Sequence, residues 1–322
     1  MQQTANDIKL RVVFMGTSDL SEQILDSLIE NKYNLVGVFT KPDMKVGRKQ
    51  EIVAPPVKVL AEKNSIPVFQ PEKFKAEAIE QLKELKPDIV IVAAYGKILP
   101  KAALEIPGFG CINVHVSLLP KYRGPSPVQN ALLNGEKESG VTIMLMDQGV
   151  DTGDILLQEK IGVDPKENAA SLMQKLSFLG SKALLEALPL WIQRKIEATP
   201  QDNSKATLCQ LIEREDGHIF WEESAESIYN RYRALTPWPG IFSFWKSGNE
   251  TVRIKLLEIE LQKINPEQSR QSGEVFEIGS DIGVQTAEGV IILKKIHREG
   301  KKPTDPKSFA NGTPEFIGSI LF

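Results

Sequence analysis

Cysteine is nearly absent from this 322-residue chain: Cys111 and Cys209 are the only two, far apart and in no metal or redox spacing. That scarcity excludes a disulfide framework or a cysteine-bound zinc, and it points to a reducing cytosol. Long hydrophobic runs are missing too. No stretch approaches the roughly 20 apolar residues of a membrane span. The opening Met-Gln-Gln-Thr-Ala-Asn-Asp lacks the basic and apolar regions of a secretory signal. Positive charge is not in excess. The formal net charge of −3 excludes a wholesale basic nucleic-acid binder, while leaving room for a local basic patch. Neither G-x-G-x-x-G nor a Walker Gly-Lys-Ser/Thr occurs, so no nucleotide cofactor is expected. Gly16-Thr17-Ser18-Asp19 reads instead as a tight strand-to-helix turn. There is no internal repeat and no low-complexity tract.

What is present suits two soluble domains with a sizeable core, since 41% of residues are hydrophobic and 25% charged. The first half alternates short apolar runs with helical patterns. Leu10–Met15 reads as a buried strand, followed by a helix from about Asp19 to Asn31 whose Ile24, Leu25, Leu28 and Ile29 share a face. Leu35–Thr40 reads as a strand, Lys58–Lys63 as part of a short helix, Val68–Phe69 as a brief strand and Lys75–Leu85 as a helix. Ile89–Ala94 is continuously apolar, as a doubly covered parallel strand requires. Strands over Gly110–Val116 and Val141–Met146 flank a helix over about Pro127–Asn134. This alternation predicts an α/β fold with a Rossmann-like, open, mostly parallel sheet.

A long helical stretch, roughly Ala169–Ile196, ends that unit, and Pro200-Gln-Asp-Asn-Ser204 reads as a linker. The expected division is residues 1–199, a linker at 200–206 and a second domain at 207–322. After a short helix around Ala225–Leu235, strands recur with glycine turns at Ile241–Trp245, Thr251–Ile259, Gly273–Ile278, Gly283–Thr286 and Val290–Ile296. They predict a small, OB-like β-barrel. Pro237-Trp-Pro-Gly240 is read as a rigid turn that packs Trp238.

The chemistry concentrates between Cys111 and Ile155. Asn113 and His115 are two apart on a predicted strand, so both side chains project to one side. His115 lies at the strand's C-terminal end, where open α/β sheets bind ligands. Asp151 follows the next apolar run in a glycine-rich loop. An amide that donates to an oxyanion, an imidazole base and a carboxylate to orient it are the parts for acyl transfer. No covalent intermediate is implied: Ser117 has no Gly-elbow beside it, and Cys111 reads as a buried thiol.

Asn113-Val-His115-Val-Ser117-Leu-Leu-Pro120, with Tyr122-Arg123-Gly124 and Asp151-Thr-Gly153, resembles the folate-dependent formyltransferases. Phe14–Asp19, Val38–Asp43, Ala94–Pro100 and Ala234–Gly240 extend the similarity from about residue 10 to the end. The resemblance implies a Rossmann-like catalytic domain and a C-terminal barrel that helps hold tRNA. Asn113, His115 and Asp151 would be catalytic. Ser117, Leu118, Leu119 and Pro120 would line a folate site with the loop that begins at Tyr95 and Gly96. It also implies 10-formyltetrahydrofolate as co-substrate and no metal, and the enzyme is expected to be cytoplasmic and monomeric. The expected reaction passes the formyl group to the amino group of initiator methionyl-tRNA, in translation initiation. Formylation of an amino-sugar nucleotide, or hydrolysis of the folate, is the alternative. The chain departs from the usual pattern at Val116, at Phe220 and at Cys209-Gln210-Leu211.

Two basic clusters complete the reading. Lys41–Gln50 is a basic loop punctuated by glycine and proline. The resemblance places its Lys45, Arg48 and Lys49 on tRNA phosphates, contacts that weaken with salt. Lys294, Lys295 and Arg298, near Lys301 and Lys302, sit at the end of a barrel strand, where they could track an RNA backbone. Thr207–Phe322 nevertheless carries 14 Lys+Arg against 17 Asp+Glu, so the second domain is not basic overall.

Overall fold

The computed structural model describes residues 10–46, 50–262 and 270–322. The chain divides into two compact units. One comprises Met1–Pro127, Glu138–Gly162 and Met173–Gln210, the other Val128–Lys137, Val163–Leu172 and Leu211–Phe322. Residues 200–206, expected as a linker, therefore group with the first unit. The two short segments at 128–137 and 163–172 group with the second.

The strands of the first unit are β1 (Arg11–Gly16), β2 (Asn34–Phe39), β3 (Met44–Val46), β4 (Glu51–Val53), β5 (Val68–Phe69), β6 (Ile89–Ala93), β7 (Cys111–His115), β8 (Glu138–Leu145) and β9 (Ile155–Gly162). Seven of them form one sheet in the order β5-β2-β1-β6-β7-β8-β9. The first five in that order run parallel, and β8 and β9 are added antiparallel. The mostly parallel sheet expected from the alternation is present. The strand β9 was not foreseen: as an exterior strand it exposes every second residue, and Leu157-Gln-Glu-Lys-Ile161 offers no apolar run. The hairpin β3–β4 starts in the stretch that the sequence predicts as loop, because three-residue strands are too short to carry a periodic signal.

Helices α1 (Asp19–Glu30), α2 (Pro56–Lys63), α3 (Ala76–Glu84) and α4 (Lys101–Leu104) follow the strands as the apolar spacing predicts. The turn into α1 is tight because Gly16 has no side chain. A Cβ there would stand 2.9 Å from the Ala93 carbonyl oxygen. The buried Ser21 hydroxyl then fixes the turn. It accepts from the Thr17 and Ser18 N–H groups (3.0 and 3.1 Å) and donates to Ala93 O at 2.6 Å. Every side chain of β6 is buried, each Val or Ile contributing about 1.5–3 kcal/mol. Helix α5 (Pro127–Leu133) precedes β8, and α6 (Ala169–Ile192) follows β9. Gly180 of α6 lies close over the sheet, its missing Cβ 3.0 Å from Val114 Cγ1 and 3.6 Å from Val141 Cγ1. Val114 thus faces α6, and the period of two sends Asn113 and His115 to the opposite side. On that side Cys111 joins a core of Met15, Val92, Tyr95 and Leu99.

The second unit contains α7 (Ala225–Leu235), β10 (Ile241–Ser247), β11 (Glu250–Gln262), β12 (Val275–Ile278), β13 (Asp281–Gln285), β14 (Val290–Arg298) and α8 (Pro306–Gly312). Its antiparallel strands follow the order β10-β11-β14-β13-β12. Register shifts at Leu256–Ile259 bend β11, as a small barrel needs. The segment Gly318–Phe322 completes the ring. Val275 N–H donates to Ser319 O (2.9 Å) on one side, and Phe244 and Phe322 exchange N–H···O bonds (2.8 and 2.9 Å) on the other. Trp221 and Trp245 fill the interior, while Trp238, expected to pack, is 55% exposed. Among the described residues no helix is long and apolar enough to cross a membrane.

Candidate functional site

Residue type changes along the site face of β7. Cys111 is buried in core, Asn113 is half-exposed, and His115 closes the strand with 6% of its surface exposed. Burial pushes the Cys111 thiol up to about 12, which keeps it neutral and unreactive. Two loops converge on Asn113 and His115. Residues 116–124 continue from the C-terminal end of β7. The other loop arrives from the opposite end: β8 is antiparallel, with Leu145 beside Ile112, so its chain must fold back over β7.

That fold-back depends on Gly153. A Cβ there would overlap the Leu145 carbonyl oxygen and lie 2.9 Å from its carbon. Leu145 N–H meanwhile donates to Asp154 O at 2.9 Å. Asp151, with φ of 53°, occupies the left-handed region that Asp tolerates better than most residues. Its carboxylate becomes the meeting point of the site. Oδ2 accepts the Gly124 N–H at 2.8 Å and faces His115 Nδ1 at 3.5 Å, and Oδ1 accepts from Asn113 Nδ2 at 3.4 Å. His115 Nε2 lies 2.9 Å from the Tyr122 carbonyl oxygen. A carbonyl only accepts, so Nε2 carries the proton and Nδ1 turns to the carboxylate. Asn113 spends one amide hydrogen on Asp151 and keeps the other for a ligand.

The remaining residues of the expected folate site divide into two kinds. Leu118 and Pro120 are half-buried. Ser117 and Leu119 are instead internal ties: Ser117 Oγ donates to Lys121 O (2.7 Å), and Leu119 N–H to Thr142 Oγ1 (3.1 Å). Thr142, fully buried, also donates to Ser117 O at 2.6 Å, and Gln158 Nε2 reaches Leu119 O at 2.8 Å. Neither Thr142 nor Gln158 was foreseen, because each lies on a strand far along the chain from the loop it holds.

Tyr95 is buried at the root of the other expected loop. Its ring is 2% exposed and packs edge-on to Phe74 at 6.2 Å, leaving only its backbone to the loop. Burial raises its phenol above the usual tyrosine range. Gly96 has φ of 70°, and a Cβ there would meet Lys41 Nζ at 2.6 Å. Lys97 donates to the Pro71 and Glu72 carbonyls, and burial followed by the nearby Lys41 charge lowers its pKa. Ile98 is 81% exposed. Because β6 and β7 are parallel neighbours, their following loops lie at one end of the sheet, the usual ligand end of such folds. Ile98, Leu118 and Pro120 belong to these two loops.

Lys45 is exposed on β3, opposite Ile52, while Arg48 and Lys49 lie outside the described residues. The hairpin's root is clamped where Gln70 Nε2 and Lys58 Nζ both reach Asp43 (2.8 Å each). Gln70 first, and Lys58 second, hold the Asp43 carboxyl below the usual range. In the second unit Lys294 is already engaged in ion pairs. It is bound by Asp281 (3.0 Å) and Glu260 (3.3 Å), so its charge is already answered within the protein. Lys295 is exposed beside Glu258, and Arg298 lies 6.0 Å over the Trp245 ring. Among the described residues no group of three His, Cys, Asp or Glu side chains is placed to hold a metal.

Comparison with known proteins identifies the family. The family described as "Formyl transferase" matches residues 9–188, and "Formyl transferase, C-terminal domain" matches residues 211–314. The methionyl-tRNA formyltransferase of Caldicellulosiruptor saccharolyticus is 44% identical over 314 residues, covering 96% of this chain and 99% of its own. That of Kosmotoga olearia is 43% identical over 295 residues, covering 91% and 93%. Among solved structures, an N-formyltransferase from Helicobacter canadensis, in complex with folinic acid and dTDP-3-aminofucose, superposes with a TM-score of 0.65. It is 22% identical and covers 88% of this chain and 98% of its own, a likeness of fold. Matched by that family on both sides of its central connecting segment, the chain belongs to the formyl transferases.

Proposed function

We propose that the protein transfers the formyl group of 10-formyltetrahydrofolate to the amino group of initiator methionyl-tRNA. The observation that carries the chemistry is the convergence of Asn113, His115 and the Gly124 N–H on one carboxylate, Asp151. The acceptor follows from the near-full-length relatives, which are named for methionyl-tRNA.

The steps follow from what the atoms require. An α-amino group, with an ordinary pKa near 7.7–8.0, is partly neutral at cellular pH and attacks the formyl carbon without a strong base. The carbonyl oxygen becomes an oxyanion, and the free Asn113 N–H donates to it. Such a donor is worth about 10²–10³ in rate. The attacking nitrogen must lose a proton and the folate N10 must gain one as the C–N10 bond breaks. The Asp151–His115 pair holds that proton between Oδ2 and Nδ1 and returns it to N10. The products are N-formylmethionyl-tRNA and tetrahydrofolate, with no enzyme-bound acyl group.

A product assay with formyl-labelled donor tests the reading. Label should appear on methionine esterified to initiator tRNA. Label found only in an amino-sugar nucleotide, or only as free formate, would overturn it.

A further inference from the structure

We propose that Gln201 and Arg123 are positioning residues that set the distance between the Asp151 carboxylate and the His115 imidazole. The segment expected as a linker does not pass the site by. Thr199 and Ile155 exchange backbone N–H···O bonds (2.8 and 2.9 Å) beside one loop, and Arg123 pairs with Thr207 and Cys209 (2.9 and 2.8 Å) beside the other. Between these two seams lies Gln201, only 9% exposed.

Every polar atom of its carboxamide is used. Nε2 donates to the carbonyls of Asp151 (2.9 Å) and Gly153 (2.7 Å). Oε1 accepts from Arg123 Nε (3.0 Å) and Nη2 (2.8 Å). The guanidinium, itself 6% exposed, takes a further bond to Asn203 Oδ1 at 2.8 Å. Arg123 stands between the two residues whose backbones hold the pair. Tyr122 O receives His115 Nε2, and Gly124 N–H donates to Asp151 Oδ2. One guanidinium–carboxamide link therefore joins the loop that holds the imidazole to the loop that carries the carboxylate. It also holds Asp151 in a backbone region that residues other than glycine seldom occupy.

The inference rests on the formyl-transfer reading of Asp151, so the test uses Asp151→Asn as its reference. Gln201→Met keeps the length and removes all four bonds. Its kcat should fall about 10–100-fold, the usual cost of losing an orienting partner, with both KM values within about twofold. In the Asp151→Asn background the same change should cost less than about threefold, because there is no carboxylate left to position. A merely structural role would instead multiply in both backgrounds, and that result overturns the proposal, as does a Gln201→Met enzyme of full rate. Full rate in Asp151→Asn alone would sink the underlying reading. Should Gln201→Met not fold, Asn203→Ala at an exposed residue carries the test. A threefold or larger fall in kcat that vanishes with Asp151→Asn supports the proposal, and an unchanged kcat overturns it.

Discussion

Replacing Asp151 by asparagine changes one atom's chemistry at nearly constant shape, and its effect follows from the contacts. The carboxylate only accepts: it takes the Gly124 N–H and an Asn113 amide hydrogen, and it faces His115 Nδ1. An amide in its place must turn its oxygen towards Gly124, because a backbone N–H cannot reorient. Its NH₂ then occupies the former Oδ1 position, 3.4 Å from Asn113 Nδ2, donor against donor. Asn113 relieves the clash by turning over, which carries its free N–H away from the oxyanion. The expected loss is at least that of one oxyanion donor, about 10²–10³ in kcat or 2.7–4 kcal/mol of barrier, because the carboxylate that shares the proton with His115 goes as well. Stability should change by only about 1 kcal/mol, the net worth of one hydrogen bond. Single-turnover formylation with saturating methionyl-tRNA measures the first effect, and circular dichroism melting the second. A kcat within threefold of the parent refutes the reasoning. So does a fall in Tm of ten degrees or more, which would make Asp151 a structural residue.

Gly153→Ala should destabilise by about 3 kcal/mol and slow turnover with it, because its Cβ overlaps the Leu145 backbone. An unchanged Tm would show that the Asp151 loop is seated otherwise. Lys45→Ala should raise the KM for tRNA several-fold and lessen the slope of log KM against log salt by about one unit. Lys294→Ala should leave that slope unchanged, since Asp281 and Glu260 already neutralise the ammonium. Cys111 gives a pH effect of defined sign. The folded state favours its neutral thiol, so the stability this contributes is complete below the ordinary thiol pKa and is lost as pH rises towards about 12. In denaturant melts, the gap in midpoint between the parent and Cys111→Ala should therefore narrow from pH 7 to pH 11.

Local pattern carried most of the architecture. Val68–Phe69 and Ala225–Leu235 fall where apolar spacing put them, and β6 differs by a single residue. Asn113 and His115 were legible as a pair because a strand's period of two needs no tertiary information. What escaped depends on distance along the chain. Gln201 meets Arg123 across 78 residues, Thr142 meets Leu119 across 23, and no periodicity links such positions. The same limit explains Lys294: a basic run looks solvated until Asp281, from the neighbouring strand, is found beside it. Polar loop composition misled at Pro200–Ser204 for a related reason. Asn and Gln are common in linkers, yet their amides are also the groups best able to pin two backbones at once.

The closing of the second unit by Gly318–Phe322 has a consequence for how the protein behaves in solution. Without that segment, β10 and β12 would each present a row of unsatisfied N–H and C=O groups, and such rows invite strand addition from another molecule. Five residues thus guard two open margins together. Breaking their backbone pairing should lead to self-association before the formyl-transfer site is disturbed.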